Sequence, residues 1–529
     1  MHLSKFILLG LTCLLLNACD ASRSELDETL VTVKQGMLKG YVLPHNHVVS
    51  FKGIPYAAAP INDRRWQTPQ EAEAWKGVRR ADDFGHKCMQ NALFSDMQFR
   101  ASGMSEDCLF LNVWTPLERE QEQLPVLVYF YGGGFVAGDG SENRYDGADM
   151  ASKGIVTVTV NYRLGVFGFL AHPELSAQSG YGGSGNYGLL DQQAALIWVA
   201  QNIASFGGDP KRITIAGESA GSISASAQTL APDSIPYIHG VIGESGSIMG
   251  RFVSSLADGE QQGLNLAAAI LEGDDVGLSA LRALPAEVLL KKATEAGFQQ
   301  LMPTIDGKFL IDRPQKLFAA KKFADVPLLA GVNSQEGSYQ QLFGDAEVNQ
   351  ENYLLALQKL YPEDYEAVAA IYPGESPEQI KLAAQALMSD RFISQSTWDW
   401  VNAAAENGKA HAYYYLYDHV RPAIKPIYNN GKSVDITDLG AVHSAEIEYV
   451  LGNLDTNYIY EWEKEDYQVS NIVQQYFVNF IKTGNPNTEG LLAWPEFRTA
   501  QQLVIKLQPE VQSVENLRER YQAVADLRN

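Results

Sequence analysis

Hydrophobic residues in this chain fall into short continuous runs more often than into alternating ones. Leu124 to Phe130 (LPVLVYF), Ile155 to Val160 (IVTVTV), Arg212 to Ala216 (RITIA), Val326 to Val332 (VPLLAGV) and Ala412 to Tyr417 (AYYYLY) each read as a strand bounded by turn residues. A strand that is apolar along its length is buried on both faces, which requires helices on either side of its sheet. Helix-like segments do separate the runs, for example Leu189 to Ser205 (LLDQQAALIWVAQNIAS). Strands alternating with helices predict an α/β fold with a mostly parallel sheet. The stretch from 255 to 300 reads helical and predicts an insertion over one edge. No internal repeat or low-complexity tract interrupts the pattern.

The N-terminus departs from it. Phe6 to Leu16 is an apolar run interrupted by Gly10, Thr12 and Cys13 and preceded by Lys5. It is too short for a mature transmembrane helix and fits a signal peptide, taken as residues 1–18. Its end, Leu16-Asn17-Ala18-Cys19, resembles the lipobox of bacterial lipoproteins, in which the Cys becomes the acylated first residue. Asn17 is unusual in that slot, so the alternative is an ordinary cleaved signal. Asp20 resembles an inner-membrane retention residue. Residues 19–27 then read as a polar tether and 28–529 as one domain. Export into the bacterial envelope or periplasm, with a lipid on Cys19 as the only membrane contact, is the expectation.

The cysteines agree with export. Of the four, Cys13 leaves with the signal and Cys19 takes the lipid, which leaves Cys88 and Cys108 to pair in an oxidising compartment. Such a loop contributes about 3 kcal/mol in the chain-entropy model. The alternative is two buried thiols. The formal net charge of −22 over 529 residues repels phosphate backbones, so no nucleic-acid partner is expected. Its plainer role is solubility.

Chemistry enters where the third run ends. Arg212 to Ala216 leads into Gly217-Glu218-Ser219-Ala220-Gly221, a G-x-S-x-G between a strand and a small-residue helix start. The turn holds its serine in a strained conformation, and the flanking glycines let the backbone pass closely. Ser184 and Ser245 each have the upstream Gly but lack the downstream one. After the first run comes Gly132-Gly133-Gly134. Exposed amides there, with that of Ala220 after the serine, form an expected oxyanion hole. A phosphate-binding reading fails, because the run has neither G-x-G-x-x-G spacing nor a P-loop Lys.

Several long motifs now make a resemblance specific. Glu106 to Val113 reads EDCLFLNV, and Phe206 to Gly221 reads FGGDPKRITIAGESAG. NYRLGVFGFL (161–170) and GNYGLLDQQAA (185–195) stand between them, with FKGIPY (51–56) and FIKTGNPN (480–487) nearer the ends. The chain resembles the type-B carboxylesterase/cholinesterase family over nearly its whole mature length. The resemblance implies an α/β-hydrolase fold with large insertions. It also implies ester hydrolysis by a Ser-His-Glu triad with no metal and no cofactor.

In such folds the acid and then the His follow the nucleophile. His239 comes too soon, and His411 and His419 flank the strand Ala412 to Tyr417. His443 sits in a loop before a helix-like run, and the family's catalytic His stands at the matching place in AVHSAEIEYVLGN. Glu336 lies just past the strand Val326 to Val332, where open α/β sheets build their sites. The family segment agrees, and Asp306 and Asp418 rank below it. Ser245 matches a family serine that supports the acid; the alternative is an ordinary turn hydroxyl.

The expected partner is a small ester. Cholinesterases carry a Trp in the disulfide loop as a cation platform. The segment between Cys88 and Cys108, MQNALFSDMQFRASGMSED, has none; Phe94 and Phe99 suit neutral groups better. The expectation is a carboxylesterase of neutral aryl or alkyl esters. An amidase or carbamate hydrolase is the near alternative. A non-catalytic adhesion protein of the same fold is the distant one, since Ser219, Glu336 and His443 are all present.

Overall fold

The continuous apolar runs form the centre of one eleven-stranded sheet. A computed structural model describes residues 28–118, 123–271, 277–428, 440–498, 503–515 and 520–523. Cys19 and the expected signal and tether (1–27) lie outside the described residues. The strands are β1 (Tyr41–Leu43), β2 (Val48–Pro55), β3 (Phe110–Pro116), β4 (Leu124–Phe130) and β5 (Val156–Val160). They continue with β6 (Gly208–Glu218), β7 (Gly240–Glu244), β8 (Leu328–Asn333), β9 (Ala412–Tyr417), β10 (Leu503–Leu507) and β11 (Gln512–Glu515). Their spatial order is β11-β10-β9-β8-β7-β6-β4-β5-β3-β2-β1.

From β5 across to β10 every neighbouring pair is parallel. The edges at β1–β3 and β11 are antiparallel. This is the α/β-hydrolase architecture, a mixed sheet flanked by helices. All five residues of β5 and all of β8 are buried, as continuous apolar strands demand. The helix expected from Leu189 is α1 (Tyr187–Asn202) followed by a short 3-10 turn to Phe206.

Two boundaries differ from expectation in a way that matters. The strand read from Arg212 begins at Gly208, with a register shift before Ile213, and runs on through Gly217 and Glu218. So the first half of the pentapeptide is still strand, paired with β7 at Gly243 and Glu244. The strand β3 was visible only as a motif, because Asn112 interrupts its apolar run. Asn112 is buried there and donates to Thr159 Oγ1 at 3.0 Å.

Helix α2 (Ala220–Gln228) follows β6 directly and is buried at all nine residues. Its sequence, AGSISASAQ, is small because it lies against the sheet. A Cβ on Gly221 would stand 1.9 Å from the carbonyl oxygen of Phe130. Within the stretch read as helical stand α3 (Leu256–Ile270), α4 (Leu278–Ala283) and α5 (Ala286–Glu295). Further on, α6 (Gln350–Leu360), α7 (Tyr365–Ile371) and α8 (Pro377–Ser389) surround a second, smaller apolar core that includes Tyr353, Leu357, Val368 and Ile380. Cys88 and Cys108 form a disulfide, with Cα atoms 5.0 Å apart.

Candidate active site

Ser219 occupies the junction between β6 and α2 with φ 54° and ψ −120°. An L-residue pays a steric penalty there, so the surroundings must enforce it. They do so at two points. The Ser219 N–H donates to Glu244 O at 2.8 Å. Gly217 and Gly221 both lie so near Phe130 O that neither tolerates a Cβ. The hydroxyl is thereby lifted off the end of the sheet.

His443 meets it from a loop that precedes α9 (Ile447–Leu451), 224 residues later in the chain. Its Nε2 is 2.9 Å from Ser219 Oγ, and its Nδ1 is 2.6 Å from Glu336 Oε2. That loop is pinned to the end of β8, where Gln335 N–H donates to Ala441 O at 2.9 Å. Glu336 is buried and fully used. Its Oε1 accepts from Asn333 N–H at 2.7 Å and from Ser245 Oγ at 2.5 Å. Ser219, His443, Glu336 and Ser245 are thus brought together.

The rivals lie elsewhere. His411 pairs with Glu496 at 3.1 Å and buried His419 with Asp466 at 2.8 Å. Asp418 pairs with Lys506, and Asp306 accepts three backbone amides, from Lys308, Phe309 and Leu310. These are structural tasks.

Gly133, Gly134 and Ala220 line the same cavity as Ser219. As first residue of α2, Ala220 has no intrahelical acceptor for its N–H. At two of the three positions in the run a side chain would collide with protein. At Gly133, with φ +105°, a Cβ would lie 2.3 Å from Ala137 O; at Gly132 it would meet the Glu218 carboxylate and carbonyl.

Sequence reasoning missed two carboxylates. Glu218, read only as the variable position of the pentapeptide, puts Oε1 3.2 Å from His443 Nε2. Glu446, one turn beyond His443, accepts from Asn333 Nδ2 at 2.6 Å and faces Ser245 Oγ at 3.3 Å. Burial pushes both Glu218 and Glu446 above the ordinary carboxylate range. Burial acts against charge on the His443 ring too, but Glu218 and Glu336 outweigh it and raise His443 to about 9. The signal for Glu446 was its spacing of three from His443 on a helix start; for Glu218 it was adjacency alone.

The cavity above Ser219 measures about 240 Å3. Phe94, Met97, Phe135, Ile223, Phe252 and Met302 are among its walls, and among the described residues no Trp lines it. Of the loop aromatics, Phe94 reaches it and Phe99 does not. Phe99 pairs by its backbone with Glu142 and lies under the Lys87 ammonium, 5.1 Å away. Of the charged wall residues, Arg144 pairs with Asp96 at 2.8 Å and with buried Glu142 at 2.7 Å, and Glu218 lies beside His443. Among the described residues no group of His, Cys, Asp and Glu is arranged to hold a metal ion.

Residues 27–524 match a model of the carboxylesterase family. The para-nitrobenzyl esterase of Bacillus subtilis is 35% identical over 507 residues, covering 92% of this chain and 96% of its own. The fumonisin B1 esterase of Sphingopyxis macrogoltabida is 33% identical, over 85% of this chain and 82% of its own. The human cocaine esterase is 34% identical, over 88% and 84%.

Proposed function

We propose, for a chain that belongs to the carboxylesterase family and hydrolyses carboxylic esters, that catalysis runs through Ser219, His443 and Glu336 and an acyl-enzyme. The observation that carries this reading is the unbroken relay of 2.9 Å and 2.6 Å from Ser219 Oγ through His443 to Glu336. Ser219 Oγ attacks the ester carbonyl and His443 Nε2 takes its proton. Glu336 keeps the proton on Nδ1 and stabilises the imidazolium. The amides of Gly133, Gly134 and Ala220 receive the oxyanion, each such donor being worth roughly 3–4 kcal/mol of barrier. The alcohol departs with the proton from His443. Water, deprotonated by the same imidazole, then releases the acid.

The substrate class in this reading is a small neutral aryl or alkyl ester. Support comes from the apolar walls, the pairing of the wall guanidinium of Arg144 with Asp96 and Glu142, and a volume just below that of most ligand sites, which run from ~300 Å3 upward. Export, with acylated Cys19, completes the proposal and rests on residues 1–20. Loss of fatty-acid labelling in Cys19→Ala would support it, and unlabelled wild type would refute it.

The decisive experiment is Ser219→Ala. Turnover of p-nitrophenyl acetate should fall by roughly 10^4-fold or more, with an unchanged thermal melt and no labelling by a fluorophosphonate probe. Near-wild-type turnover would refute the nucleophile. Preference for acetylthiocholine over the nitrophenyl ester would refute the substrate class.

A further inference from the structure

Pro377 to Asn407 runs as one long helix with a change of winding at its middle. After α8 comes a π-turn, Asp390–Ser394, and then a helix at Gln395–Asn407. In the turn, Gln395 N–H reaches back five residues to Asp390 O. A π-turn adds a residue to the helix at some expense in stability and occurs often at functional sites.

This one is held from several sides. The hydroxyls of Ser396 and Thr397 both donate to Ile393 O, at 2.9 and 3.0 Å. Buried Asp390 accepts from Tyr372 Oη at 2.7 Å and from Arg520 Nη2 at 2.9 Å, the tyrosine belonging to the second core. Gly337, the residue after Glu336, donates its N–H to Ser389 Oγ at 2.9 Å. A Cβ on Gly337 would stand 2.7 Å from Met388 C, so the end of α8 is pressed against the acid's own backbone.

What this arrangement presents to the site is Phe392. Its ring lies edge-on to the His443 imidazole, with centroids 5.0 Å apart and planes at 71°. Phe392 also lines the cavity. One residue fewer in the helix would turn the following face by about 100° and break the relation between this ring and the helix beyond it.

We propose that Phe392 is a positioning residue for His443, set in place by the π-turn. The imidazole holds its two bonds, to Glu336 and Ser219, only in one orientation. The phenyl ring fills space into which the imidazole would otherwise swing. Edge-to-face packing fixes the ring without adding a competing hydrogen-bond partner. The inference rests on His443 being the base.

The test compares Phe392→Ala, Phe392→Tyr and His443→Ala on p-nitrophenyl acetate and p-nitrophenyl hexanoate. With positioning lost, kcat of Phe392→Ala should fall about 10-fold or more for both esters alike. KM for acetate should stay within about twofold. Fluorophosphonate inactivation should slow by the same factor as kcat, and Phe392→Tyr should restore both. If Phe392 is merely a wall, acetate turnover keeps its wild-type kcat and only the longer ester changes; that result overturns the proposal. So does equal impairment of the Ala and Tyr variants. Should a thermal melt show Phe392→Ala unfolded, Phe392→Leu, which keeps bulk without a ring, is judged by the same criteria. Retained activity in His443→Ala would sink the triad reading itself. Normal kcat in the Phe392 variants beside an inactive His443→Ala would sink this inference alone.

Discussion

Ser219 and His443 lie 224 residues apart in the chain, and Nε2 of one stands 2.9 Å from Oγ of the other. The sheet makes the contact. Ser219 leaves the end of β6, Glu336 follows β8 and His443 comes later in the chain than β9, all beyond the C-terminal ends of parallel strands. Parallel register brings those ends together. The contact is also crowded with acid, since Glu218 approaches the same nitrogen at 3.2 Å.

That crowding predicts the pH profile. His443 is raised to about 9 because Glu218 and Glu336 favour its charged form more than burial disfavours it. A base with a raised value is lost as pH falls through that value, so kcat/KM should decline below it. The acid limb should therefore lie above the ordinary histidine value of about 6.5. Glu218→Gln removes one carboxylate and should move the limb downward. A limb at or below 6 in the wild type, or one unmoved in the variant, would contradict this account.

Glu336 should behave as an orienting group whose own support matters. Glu336→Gln leaves the shape but reverses the hydrogen-bond preference at His443 Nδ1, and should cost roughly 10^4-fold in kcat. Ser245→Ala removes the 2.5 Å donor to Oε1 and leaves the Asn333 amide in place. About a 10-fold loss in kcat is expected, equivalent to about 1.4 kcal/mol. Steady-state kinetics beside thermal melts check both; an inert Ser245→Ala would return that residue to an ordinary turn hydroxyl.

The glycine run should respond unevenly. Gly133→Ala forces a Cβ to 2.3 Å from Ala137 O and should displace the loop, with a loss of about 10^2–10^3 in kcat. Gly134→Ala has φ +64° but open space, its nearest neighbour being Gln300 Nε2 at 3.4 Å. It should pay only the left-handed strain, about 1–2 kcal/mol of stability. Equal losses of kcat in the two variants would argue against the oxyanion assignment.

Reduction of Cys88–Cys108 should lower stability by about 3 kcal/mol, read from a denaturant midpoint. The loop it closes carries Phe94, Asp96 and Met97 to the cavity. KM should therefore rise more than kcat falls. Indifference of both would mean that the loop is held by its other contacts.

Much of this was written locally. The residues of β4, β5 and β9 appeared as continuous apolar runs because both faces are covered. Ser219 was readable because an elbow needs glycine on both sides, and Glu336 because it follows a strand. Strand β3 was missed as a strand because buried Asn112 finds its partner, Thr159, on another strand. Phe99 was misplaced because backbone pairing with Glu142 turns it away from the cavity, and no local pattern encodes that.

The sequence by itself determined the sheet, the elbow and the order in which Ser219, Glu336 and His443 follow one another, since each depends on residue type and near neighbours. Only the tertiary structure decided how Ser219 is electrostatically set. Glu218, Glu446 and Phe392 surround His443 from an elbow, a helix start and a π-turn. Their effect depends on distances of a few ångströms between segments that lie well apart along the chain, and on the burial that makes those charges count.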